Sequence, residues 1–172
     1  PHILGHGVNL RILSYDGLQT RFSNLQAMGF SGEHERDIVD AFSGERGGLI
    51  LFIAGTGEGK TSTVMTAIPM DRNFDQRKWI SIEDPVEIVN RRIFQIPIQR
   101  NTGVATDVEG YVAAMSNTLR FDPDGINAGE IRDQISATLA ERAAMTGHIT
   151  TATLHGTEPF TAFHRLIDLG AR

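Results

Sequence analysis

Seven residues, Gly55-Thr56-Gly57-Glu58-Gly59-Lys60-Thr61, combine three glycines with a Lys-Thr end, and that combination can hold a phosphate group. Glycines let backbone amides converge on an anion, a lysine supplies a point charge, and a threonine hydroxyl can ligate Mg²⁺. The spacing predicts that Gly55, Thr56, Gly57, Gly59, Lys60, Thr61 and Ser62 bind a nucleoside triphosphate such as ATP, with Lys60 on the β and γ oxygens. Ala54 stands where the first glycine of such a loop is usual, and Glu58 places a carboxylate inside it. A dinucleotide fingerprint, G-x-G-x-x-G, needs glycine at 60, where Lys60 stands. A plain flexible turn leaves the apolar strand before the loop and the Lys-Thr after it unexplained.

Two acidic stretches could complete such a site. Glu83-Asp84-Pro85-Val86-Glu87 follows the apolar Trp79-Ile80-Ser81-Ile82, so its carboxylates would lie beyond a strand's carboxyl end, where ligands sit in open α/β sheets. They would face the phosphates if that strand neighbours the first; a solvated acidic turn is the alternative. Glu130, in Gly125-Ile126-Asn127-Ala128-Gly129-Glu130-Ile131, is the best candidate to polarise an attacking water or to join a Mg²⁺ shell. Its strand is weakened by Gly125 and Asn127. His148 and His155 flank a β-branched run; an extended strand separates them by more than about 20 Å, so they cannot share one metal ion.

The elements that must position these groups are legible from periodicity and caps. Leu49 to Ala54 suits a buried parallel strand leading into the loop, and Lys60 to Ile68 a helix stopped by Pro69. Ser31 caps a helix with Glu33 and Glu35 in its first turn and Ile38, Val39 and Phe42 on its apolar stripe. Val8 to Leu13 could be a strand, Asp71 to Lys78 is a polar connection, and Ile93 to Gln99 is an edge strand because of Pro97. Thr106-x-x-Glu109 is a capping box before a packing helix carrying Val108, Tyr111, Val112, Met115 and Leu119. Asp133 or a neighbour caps a helix whose Ile135, Leu139 and Met145 point inward and which Gly147 ends. Pro159 begins a last helix with Phe160, Phe163, Leu166, Ile167 and Leu169.

With 172 residues, 40% hydrophobic and 22% charged, the chain suits one globular domain. It has no cysteine, which excludes disulfides and thiolate metal sites. A net charge of −5 gives no electrostatic footprint for nucleic acid, which is therefore not expected as a direct ligand. No apolar run approaches the roughly 20 residues of a membrane span. The start at Pro1 and the stop at Arg172 suggest a piece of a longer protein, with residues 1–30 a linker from an absent N-terminal domain and 31–172 a core truncated at its C-terminus.

The blocks together resemble the traffic ATPases of type II and type IV secretion, type IV pilus motors and conjugation systems. The resemblance rests on the phosphate loop, on Ile80-Ser81-Ile82-Glu83-Asp84-Pro85-Val86-Glu87 as an aspartate box, and on Leu119-Arg120-Phe121-Asp122-Pro123-Asp124 with Ala128-Gly129-Glu130-Ile131-Arg132-Asp133 as a Walker B region. Thr146-Gly147-His148 through Thr153-Leu154-His155 resembles a histidine box, and Arg165 to Gly170 the segment after it. The resemblance implies an α/β fold, a RecA-like P-loop NTPase core whose mostly parallel sheet is flanked by helices. It also implies a Mg²⁺-dependent ATPase working as a homohexamer on inner-membrane secretion or pilus platform proteins, at the cytoplasmic face. In that pattern Glu130 is the base or water-orienting carboxylate, Glu83 a second acid near metal and water, and Thr61, Glu83 and Glu130 the metal shell, partly through water. His148 and His155 would sense the γ-phosphate or link it to neighbouring elements, and Arg120 and Arg132 would contribute charge at subunit junctions. The competing functions are a nucleotide-binding assembly module with little turnover and a DNA translocase on the same core.

Overall fold

The computed structural model describes residues 17–18, 22–98 and 106–170, apart from the side chains of 106–108. The expected strand at Val8 to Leu13 and the side chain of the Thr106 cap lie outside the described residues, as does Gln99. Five strands form one parallel sheet: β1 (Gly48–Ala54), β2 (Trp79–Glu83), β3 (Phe94–Pro97), β4 (Gly125–Ile131) and β5 (Ile149–His155), in the order β1-β5-β4-β2-β3. The helices are α1 (Gly32–Ser43), α2 (Lys60–Ala67), α3 (Thr106–Arg120), α4 (Gln134–Met145) and α5 (Pro159–Asp168). Pro97 does lie on an edge strand, where its missing N–H leaves no ladder bond unmade.

Both faces of the sheet are covered, which is why β1 reads as a continuous apolar run. Ile50 and Phe52 pack with α1 and α2 around Phe42, Val64, Met65 and Trp79, while Leu49, Leu51 and Ile53 pack on the opposite side with Ala137, Ala140, Ala162 and Leu166 of α4 and α5. Tyr111 and Met115 of α3 close the core over Ile82 and Ile126. Within the segment expected to be a linker, Leu18 and Leu25 are buried in the α1–α2 side of this core. Local signals hold at two caps: Ser31 accepts from the amide of His34, and Asp133 makes a reciprocal capping box with Ser136.

One expectation needs correction. Met145 does not pack inward but is 78% exposed; the buried face of α4 is made of Ser136, Ala137, Ala140 and Ala143, whose small side chains allow the helix to lie close on the sheet. In α5 only Ala162 and Leu166 are buried, whereas Phe160, Phe163 and Ile167 face outward. The polar connection from Asp71 to Lys78 exposes Arg72, Asp75, Gln76 and Lys78 but buries Asp71 and Phe74.

Asp71 anchors that stretch. Its carboxylate accepts from Arg77 at 3.0 and 3.1 Å and from the Trp79 indole N–H at 3.3 Å, and Arg77 in turn donates to the carbonyls of Phe42 and Gly44 at the end of α1. Removing one partner leaves a buried charge without compensation. Asp71→Ala is expected to cost about 3–5 kcal/mol, read as a lowered urea midpoint at unchanged slope. A midpoint shift that, multiplied by the slope, amounts to less than about 1 kcal/mol, the usual value of an exposed pair, would show that the network carries little.

Candidate functional site

The loop that follows β1 gains its shape from glycines at positive φ: Gly59 caps α2 at φ 87° and Gly57 turns the chain at φ 79°. The Lys60 ammonium folds back and donates to the carbonyls of Ala54 at 2.9 Å and Gly55 at 2.7 Å. Glu58 turns onto its own loop: its Oε2 accepts from the Gly55 amide at 2.6 Å.

A cleft opens beyond the carboxyl ends of the strands, lined among others by Thr56, Lys60, Thr61, Glu83, Glu130 and Arg132. Gly57, Gly59 and Ser62 line it as well, and Gly55 lies at the base of the loop. The acidic cluster was expected to face the phosphates if β2 neighboured β1. That condition fails, because β5 and β4 lie between them. The groups converge nonetheless, since α2 packs on β5 as well as β1, and Lys60, Thr61 and Ser62 at its N-terminus line the same cleft as Glu83 and Glu130.

Glu130 is presented by a bulge. The β4–β5 register shifts between Asn127 and Glu130, and Gly129 takes φ 69° with its α-carbon so close to β2 that a Cβ would meet the Ile82 carbonyl at 2.4 Å. Gly129, which the sequence reading did not single out, is thus required by the turn that aims Glu130. Arg132 donates to Glu130 at 2.8 Å through Nε and to Asp84 at 3.3 Å, so it links the two acidic stretches. Asp84 precedes a cis bond to Pro85.

Glu83 is buried, and burial pushes its carboxyl above the usual carboxylate range; donors from Ser81, Gln95 and the Glu87 backbone pull the other way, and the Glu87 carboxylate pushes up again. The folded chain therefore holds this proton more tightly than the unfolded chain. The cost of ionising Glu83 is absent below the unfolded value and grows as pH rises through the folded one. In nucleotide-free protein, Glu83→Gln should raise Tm at neutral pH relative to the parent and lose that advantage at acid pH. Equal Tm differences at both pH values would refute the assignment.

The two histidines part company. His155 ends β5 beside Ala54, and its Nδ1 lies 3.5 Å from the Thr56 hydroxyl, at the loop. His148 precedes the other end of the same strand, with Nδ1 3.0 Å from the Thr146 hydroxyl and 3.1 Å from the Ala143 carbonyl. It does not reach the cleft, because seven residues of extended chain intervene. Arg120 ends α3 and does not line the cleft either. Sequence reasoning missed Tyr111, which lines the cleft and ties α3 to β4 by donating to the Ala128 carbonyl at 2.9 Å; its position on an apolar stripe hid it.

The entire chain, residues 1–172, matches the family described as Type II/IV secretion system protein. The chain belongs to this family. It is 34% identical over 172 residues to the type IV pilus assembly ATPase TfpB of Acinetobacter baylyi, covering 100% of this chain and 28% of that one. It is 32% identical over 170 residues to type II secretion system protein E of Pseudomonas aeruginosa, covering 99% and 32%. Among solved structures, the pilus retraction motor PilT with bound ADP aligns with a TM-score of 0.63 at 31% identity, over 95% of this chain and 43% of that one. The fold is accordingly the RecA-like P-loop fold of the secretion ATPases, with its parallel sheet and flanking helices. The secretion-family chain spans about a third of the length of these curated relatives. Among its described residues no helix is long and apolar enough to cross a membrane.

Proposed function

We propose that this chain is the ATP-hydrolysing core of a motor that drives type II or type IV secretion, pilus dynamics or conjugation. The observation that carries the reading is the meeting of Lys60, Thr61, Glu83 and Glu130 in one cleft at the carboxyl ends of parallel strands. The amides from Thr56 to Thr61 would cradle the β-phosphate at the N-terminus of α2, where the helix field favours an anion. Lys60 would leave the Ala54 and Gly55 carbonyls for the β and γ oxygens. Glu130 would orient and deprotonate the attacking water, with Glu83 as a second acid and His155 beside the loop as the γ-phosphate sensor.

The donor set fits Mg²⁺, which binds through a few protein oxygens and leaves the rest of its shell to phosphates and water; the Thr61 hydroxyl and the Glu83 and Glu130 carboxylates are among the groups that line the cleft, and no closed cage of three acidic or histidine ligands occurs among the described residues. Thr61, Glu83 and Glu130 would hold it, partly through water, and it would neutralise charge building on the phosphates. A homohexameric ring on inner-membrane platform proteins, at the cytoplasmic face, completes the proposal.

A second reading, a nucleotide-binding assembly module with little turnover, draws on one contact: Arg132 already occupies the Glu130 carboxylate. Measuring ATP affinity and steady-state hydrolysis on one full-length sample of known oligomeric state separates the two. Tight binding with no turnover would favour the module, and absence of binding would overturn both.

A further inference from the structure

A row of polar side chains runs through the middle of this sheet, where an apolar core would be expected. Thr151 of β5, Asn127 of β4, Ser81 of β2 and Gln95 of β3 are cross-strand partners in register, on the face that α1 and α2 cover. Ser81, Asn127 and Thr151 are all buried, at 0%, 4% and 0% exposure. Buried polar groups are costly unless they are paired, so a row of them that is fully paired demands a reason.

The hydrogen bonds in the row have one direction. Thr151 Oγ1 donates to Asn127 Oδ1 at 3.0 Å, Asn127 Nδ2 donates to Ser81 Oγ at 2.8 Å, and Ser81 Oγ donates to Glu83 Oε1 at 2.7 Å. A hydroxyl has a single hydrogen. Because Asn127 fills an acceptor position on Ser81, that hydrogen is committed to Glu83. From the other side Gln95 Nε2 donates to the same Oε1 at 2.8 Å while its own oxygen accepts from the Asn90 amide at 2.8 Å. Asn127 Oδ1 also faces the amide of Gly129, 3.4 Å away, inside the bulge that presents Glu130. One side chain thus touches the support of both Glu83 and Glu130.

We propose that Asn127 is a positioning residue, which directs the Ser81 hydroxyl onto Glu83 and braces the Gly129 bulge, so that the two carboxylates keep their relative places. This inference rests on the proposed ATPase reading of the cleft. Asn127, which weakens β4 by propensity, is on this account what makes β4 useful.

The test compares two variants with the unsubstituted full-length protein. Asn127→Leu leaves the Thr151 hydroxyl without its acceptor and frees the Ser81 hydroxyl to rotate. Tm should fall and kcat should fall on the order of 10²-fold, while ATP affinity is unchanged, since small misplacements of catalytic groups cost about that much. In Asn127→Leu/Thr151→Val both polar partners are replaced by apolar groups, which restores most of the stability. Tm should recover, whereas kcat should stay low, because Ser81 still lacks its donor. If kcat returns to the parent value together with Tm, or never falls in folded Asn127→Leu, Asn127 is only a structural residue and the inference is overturned. Absence of turnover in the parent would overturn the ATPase reading and the inference with it.

Discussion

Lys60→Ala is expected to weaken ATP binding by about 1.5–3 kcal/mol, roughly ten- to 150-fold in Kd, with little change in Tm. The ammonium is the only cationic group on the phosphate loop, and in the nucleotide-free chain it spends its hydrogen bonds on the Ala54 and Gly55 carbonyls. Those carbonyls remain accessible to water once the side chain is gone, so the folded state loses little. The bound triphosphate, by contrast, loses a charge-assisted contact that the loop amides cannot replace. Calorimetric titration of the variant with ATP reads the effect directly. Unchanged affinity in a folded variant would overturn the assignment of the loop.

Glu130→Gln separates three roles that one carboxylate could have. As a base or water-orienting group it should leave ATP binding intact and lower turnover by roughly 10²–10⁴, because glutamine keeps size and hydrogen bonding but not the charge that polarises the nucleophile. As a member of the magnesium shell it should instead weaken Mg·ATP binding itself. As a mere partner of Arg132, whose Nε and terminal nitrogen both meet Glu130 Oε2 at 2.8 Å, it should change stability by about 0–1 kcal/mol and nothing else, since the pair is partly exposed. ATP affinity, turnover and Tm measured on one preparation distinguish them. Full activity with a small loss of Tm would refute a chemical role.

What the sequence by itself determined is the local machinery: the glycine-rich turn that opens a helix at Lys60-Thr61, the caps at Ser31 and Asp133, the helix stop near Pro69 and the edge placement of the strand holding Pro97. Each depends on interactions between residues a few positions apart, which residue type and spacing decide without reference to the rest of the chain. The tertiary structure decided what joins distant segments. It set β5 and β4 between β1 and β2, and it separated His155 at the loop from His148 at the far end of the same strand. It made Gly129 a bulge where propensity suggested only a weak strand, and it sent Met145 outward although periodicity pointed it in. The polar row behind Glu83 was invisible for the same reason: Asn127 meets Ser81 from 46 residues away and Thr151 from 24, and only strand order and register bring such partners into hydrogen-bond range.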